Sequence, residues 1–112
     1  MMAIGLVHYL VVSVLVLSLG ITTMVLKRNA IGILMGTELV MSAAMINFVA
    51  FNAYTPVGGA TPMGPRLDGQ MMTLFILVLA AAEAAVAVAV FINLHRTTGS
   101  VDVEEVEVEG PR

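Results

Sequence analysis

Apolar residues fall in three long runs, Ala3–Leu26, Ala30–Asn52 and Gln70–Leu94, with polar residues gathered between and after them. At about 1.5 Å of rise per residue, each run is long enough as a helix to cross a hydrocarbon core of about 30 Å. The pattern predicts an all-α integral membrane fold of three transmembrane helices over residues 3–26, 30–52 and 70–94. The first break is short, Lys27-Arg28-Asn29. The second, Ala53–Gly69, holds Pro56, Pro62, Pro65 and four glycines, and accommodates no helix or strand of any length. Residues 1–98 read as one membrane domain. Residues 99–112 read as an acidic tail. Its alternation of Val with acids would suit a strand, but a solvated, mobile tail is the expectation.

Cations at span ends mark the cytoplasmic side. Lys27 and Arg28 end the first span and Arg96 ends the third, whereas Arg66 and Asp68 cancel in the long loop. The expected topology is N-terminus outside, first loop inside, second loop outside and C-terminus cytoplasmic. The N-terminus has no basic n-region, and its apolar stretch is too long for a signal-peptide core, so it is expected to act as a span.

Composition agrees with a membrane protein. Of 112 residues, 59% are apolar and 12% charged, more apolar surface than a soluble fold of this size can hide. The net charge of −3 comes from the tail, where Asp102, Glu104, Glu105, Glu107 and Glu109 stand. No basic patch suited to nucleic acid is present. There is no cysteine, which excludes thiolate-bound iron–sulfur clusters, thiolate zinc and disulfides. His8 and His95 belong near opposite membrane faces, about 25 Å or more apart, and cannot share a haem or metal within one chain. Electron transfer through this polypeptide is not expected.

Two carboxylates interrupt the apolar runs. Glu83 lies within LAAAEAAVAVAV (Leu79–Val90) and Glu38 within the second span. A charge at the bilayer centre costs roughly 2.5–3.5 kcal/mol on insertion scales, and intramembrane ionisable residues are functional by default. Glu38 is ten residues beyond Arg28 and Glu83 thirteen before Arg96, about 15 and 20 Å from the cytoplasmic ends. Both fall near the midplane, within about one turn of each other in depth, with no Lys or Arg of this chain at that level. Each must be neutral or paired with another chain. Removal from water favours the protonated form of a carboxyl and can bring it into range for proton exchange. A hydrogen-bonded acid that never ionises is the bland alternative. Ala80 and Ala87 leave room beside Glu83 for water or another helix.

Other polar positions are less specific. Ser42 is one turn from Glu38 on the same face, flanked by Met35, Met41 and Met45, which serve packing or rearrangement. Asn47, about 180° from Glu38, is expected to hydrogen-bond between helices. Ser18 and Thr22 can bond across to a neighbour or back to their own carbonyls. Gly32 and Gly36 have the spacing that permits close helix approach. Lys27, Arg28 and Asn29 serve topology, and proton guidance or partner contact stays open beside it.

Several segments together are specific. KRN (Lys27–Asn29), GTELVMSAAMINFVAF (Gly36–Phe51), DGQ (Asp68–Gln70), AAAEAA (Ala80–Ala85) and LHR (Leu94–Arg96) resemble the subunit K family of proton-pumping NADH:quinone oxidoreductase, respiratory complex I, whose mitochondrial counterpart is subunit 4L. The resemblance implies a multi-pass subunit of the membrane arm in a bacterial inner (plasma) membrane. It implies that Glu38 and Glu83 are the family's two membrane glutamates, acting as proton relays, and that the basic first loop, Lys27, Arg28 and Asn29, bears on function. Lys27 stands where an arginine is common, keeping charge but losing the fork geometry. No cofactor is expected in this subunit; NADH, FMN, iron–sulfur clusters and quinone are expected on others. The implied partners are other membrane-arm subunits, including antiporter-like ones, and the lipid bilayer.

Competing classes fit less of the sequence. The small C subunit of a multisubunit Na⁺/H⁺ antiporter shares ancestry, but AAAEA and DGQ favour the oxidoreductase. A small proton-coupled exporter resembles a four-span dimer with its glutamate in the first span, which here has none. A rotor-ring subunit has two spans and one carboxylate. A pure packing subunit leaves both glutamates unexplained.

Overall fold

The computed structural model describes residues 4–54 and 68–104. They form α1 (Leu6–Leu26), α2 (Ala30–Tyr54) and α3 (Asp68–Thr98), each long and apolar enough to cross a membrane. Three boundaries run past the apolar pattern: α2 continues to Tyr54, and α3 is longer at both ends, because helices end where capping allows. Asp68 opens α3, where a carboxylate suits the positive end of the helix dipole. At the other end the helix passes His95 and Arg96 to Thr98 and stops at Gly99, whose φ of +77° suits glycine. The Gly99 amide donates to the His95 carbonyl at 2.9 Å.

The central helix is α2, with α1 and α3 on either side of it and hardly touching each other. Small residues seven apart make the α1–α2 seam: Ser13 and Gly20 are buried on one helix, Gly36, Ala43 and Ala50 on the other. A Cβ added at Gly20 would lie 2.9 Å from the Gly36 carbonyl oxygen. In lipid, apolar side chains gain little by leaving the solvent, so close backbone packing must hold helices together. The Ser13 hydroxyl adds a hydrogen bond to the Ala43 carbonyl at 3.2 Å. The Tyr9 and Tyr54 rings close one end of this antiparallel pair, with centroids 5.6 Å apart. At the other end, the Lys27 stem lies over Gly32.

The α2–α3 pair is held where DGQ begins the third helix. Gly69 sits against the Phe48 carbonyl and Asn52, and a Cβ there would be 2.6 Å from Asn52 Cβ. Its amide donates to Asn52 Oδ1 at 3.2 Å. Further along α3, the side facing α2 runs through Thr73, Ile76, Ala80, Ala84 and Ala87 at helical spacing.

The segment after α3 was expected to be solvated and mobile, yet its first residues are docked. Beyond Gly99 the chain turns back and Asp102 forms an antiparallel bridge with Asn29. The Ala30 amide donates to the Val101 carbonyl and the Val103 amide to the Arg28 carbonyl, both at 3.0 Å. Arg28 Nη1 lies 2.8 Å from Glu104 Oε2. A loop carbonyl and the first amide of a helix have no partner within a helix ladder, and this strap supplies one to each. The rest of the tail, residues 105–112, and the proline-rich loop, 55–67, lie outside the described residues.

Candidate functional site

Glu38 is the ninth of 25 residues in α2. It stands about 200° around the helix from Gly36, on the side away from α1. It is half-buried. Ser42, one turn on, donates its hydroxyl proton to the Glu38 backbone carbonyl at 2.8 Å. That proton is therefore committed to the helix rather than to the carboxyl, and toward other groups the serine oxygen is left as an acceptor.

Glu83 is the sixteenth of 31 residues in α3, its midpoint. It is exposed, at the edge of the stripe that packs on α2, three residues from the buried Ala80. The antiparallel register fixes its depth. Leu34 shares a groove with Phe91 and Ile92, and Asn52 meets Gly69. Interpolating between them brings Glu83 level with α2 within about one turn of Glu38.

The expectation of two buried glutamates is not met within this chain. A row of three helices has no interior, so its own residues half-cover Glu38 and leave Glu83 on the outer surface. Removal from water must come from lipid or from other chains. Among the described residues neither carboxyl has an ion pair, and the described cations stand at the helix ends. A carboxyl so placed, with water or a polar side chain supplied from outside, can bind and release a proton.

The basic loop divides its work. Asn29 caps α2, its Oδ1 accepting from the Ile31 amide at 2.8 Å. Arg28 is engaged by Glu104. Lys27 caps α1 through its amide, which donates to the Thr23 carbonyl at 3.0 Å, and its ammonium pairs with no carboxylate among the described residues. The histidines are far apart in the fold: His8 accepts from the Gly5 amide in the first turn of α1, and His95 is in the last turn of α3.

Other expectations divide. Ser18 bonds back to the Val14 carbonyl at 2.7 Å and does not bridge helices. Thr22 is exposed. Asn47 does not make the expected interhelical bond through its carbonyl: Oδ1 is buried and without a partner among the described residues. Ser13 and Gly20, absent from the sequence-based expectations, carry the α1–α2 seam instead. Their seven-residue spacing, repeated by Gly36, Ala43 and Ala50, was the available signal.

Two of the grooves along the described helices are apolar, and neither is lined by a glutamate. One, of about 600 Å³, lies between Tyr9, Tyr54, Ser42 and Thr73. The other, of about 480 Å³, lies beside the ends of α2 and α3 that carry Ile31 and His95.

Comparison with known proteins agrees with this architecture. The profile of the NADH-ubiquinone/plastoquinone oxidoreductase chain 4L family matches residues 8–110. The chain is 47% identical over 106 residues to the NADH-quinone oxidoreductase subunit K of Chlorobaculum parvum, covering 95% of this chain and 92% of that one. It is 44% identical to the subunit of that name from Cereibacter sphaeroides strain ATCC 17029, covering 94% and 96%. With the one from Desulfitobacterium hafniense the identity is 39%, covering 92% of each. Match length, identity and the three-helix architecture agree: the chain belongs to the NADH-ubiquinone/plastoquinone oxidoreductase chain 4L family.

Proposed function

We propose that this chain is a membrane-arm subunit of a proton-translocating NADH:quinone oxidoreductase in a bacterial inner membrane, and that Glu38 and Glu83 relay protons there. The observation that carries the proposal is their placement. Each stands inside its own span, at depths within about one turn of each other, with no described cation beside it. A carboxylate left so would cost roughly 2.5–3.5 kcal/mol, a cost that a packing role does not repay.

The subunit itself does no redox chemistry in this reading. It has no cysteine, and its histidines belong to opposite ends of the helix row. NADH, FMN, iron–sulfur clusters and quinone belong to other subunits. Quinone reduction there changes the hydration or field at the two carboxyls, whose proton affinity follows. Glu83, exposed at the edge of α3, exchanges protons with a neighbouring subunit, an antiporter-like one in this reading. Glu38, half-buried on the side of α2 away from α1, hands over within the chain through water. Lys27 and Arg28 set the field at the cytoplasmic mouth.

The test is Glu83→Gln, which keeps volume and hydrogen bonding but removes the titratable proton. Proton uptake and quinone reductase rate are measured in membrane vesicles, normalised to assembled complex. Assembly survives and pumping falls on the order of 10²-fold, the scale of one acid–base group. Full coupled pumping in the assembled variant would overturn the relay at Glu83.

A further inference from the structure

The groove beside His95 and Arg96 has features that the proton reading does not use. It runs between the first turns of α2 and the last turns of α3, about 480 Å³, walled by Leu34, Phe91, Ile92 and the strap residue Val101. Its walls are apolar, and His95 and Arg96 in the last turn of α3 are the polar residues among those that line it. The nearby acids of the strap are committed elsewhere: Glu104 to Arg28, and Asp102 Oδ1 to the Glu104 amide at 3.0 Å. Arg96 pairs with no carboxylate among the described residues. An apolar slot is thus lined by Arg96, a cation with no carboxylate partner among the described residues, near the level where a spanning helix leaves the membrane.

We propose that this groove is a binding site for an anionic phospholipid, one acyl chain along the slot and the phosphate on Arg96 and His95. Size argues for a lipid over a partner helix. A helix about 10–12 Å across fills about 500 Å³ per turn, so the groove admits no more than one turn. An acyl chain is slender enough to lie along it. The head group decides the selectivity. Moving an acyl chain from bilayer to an apolar groove changes its surroundings little, whereas one cation near the membrane surface favours an anionic lipid by roughly five-fold. The Arg96 guanidinium offers a fork of N–H donors that fits a phosphate, and the His95 ring can donate to a phosphate oxygen. The site is independent of the two glutamates.

The experiment uses the assembled complex, with a photocrosslinking amino acid in place of Ile92, in nanodiscs of phosphatidylglycerol or of phosphatidylcholine. The expected result is a lipid adduct on this subunit in phosphatidylglycerol, about five-fold weaker in phosphatidylcholine. Arg96→Gln should lower the phosphatidylglycerol adduct to the same level, and Arg96→Lys should keep most of it. Pumping is not part of the readout, so failure of the relay leaves this test intact. Adducts with polypeptide alone would mean that a neighbouring subunit fills the groove, and would overturn the proposal. Adducts indifferent to head group and to Arg96 would mean bulk lipid only, and would overturn it equally.

Discussion

Gly20 and Gly36 meet backbone to backbone: a Cβ on Gly20 would lie 2.9 Å from the Gly36 carbonyl oxygen, and one on Gly36 would lie 2.8 Å from that of Gly20. Neither carbonyl can swing aside, because each belongs to a helix ladder. Gly36→Val and Gly20→Val are each expected to force α1 and α2 apart, at about 1–3 kcal/mol for overpacking. Ser13→Ala, which loses only the bond to Ala43, is expected to cost about 0.6 kcal/mol. The yield of assembled complex on native gels should follow that order. Normal assembly with Gly36→Val would contradict the close seam.

Glu38 and Glu83 differ in surroundings, and their variants should differ in degree. Glu83→Asp keeps the proton but shortens the reach by one methylene, so part of the pumping should remain. Glu38→Gln should lower pumping less than Glu83→Gln, because Glu38 is half-covered by its own chain and water near Ser42 offers a second route. Vesicle proton uptake per assembled complex gives the ranking. A larger loss from Glu38→Gln would reverse the assigned importance.

The strap makes a prediction about exchange. The amides of Ala30 and Val103 are tied to Val101 and Arg28 and should exchange slowly with deuterium. Gly99→Ala puts a Cβ on a residue at φ +77°, which costs about 1–2 kcal/mol, and should speed both amides about five- to thirty-fold. Glu104→Gln removes an exposed ion pair worth about 0–1 kcal/mol and should change them little. Equal effects of the two variants would mean that the ion pair, not the backbone bridge, holds the strap.

Lys27, Arg28 and Arg96 predict which ends face the cytoplasm. With Gly59→Cys, an impermeant thiol reagent should label the protein from outside only. With Thr97→Cys, it should label from the cytoplasmic side only. The reverse pattern would invert the topology.

Much of this molecule is legible in the sequence, for reasons that separate by range. Span length and hydropathy are local, and they give three helices to within a few residues. The depth of Glu38 and Glu83 follows from counting along those helices. Gly36 stands out as half of a small-residue pair, but its true counterpart is Gly20, not Gly32, and that pairing depends on how α1 meets α2. Ser13 reads as one hydroxyl among valines until Ala43 is set opposite it. The docking of Asp102 on Asn29 joins the first loop to the segment after α3, far apart in sequence, and no local pattern announces it. Asn47 shows the limit from the other side: its type suggested an interhelical bond, and the facing surface offers its carbonyl none.

Glu83 bears on how much of this protein a cell can keep. With its carboxyl on the outside of a three-helix row, a copy without neighbours presents that group to lipid at a penalty of roughly 2.5–3.5 kcal/mol, and a docked copy escapes it. The residue therefore favours incorporation over solitude. Copies made in excess of the other subunits are the ones a membrane protease should meet, and their lifetime should lengthen when Glu83 is replaced by an apolar residue. Subunit stoichiometry is then written into the same carboxyl that is assigned the proton.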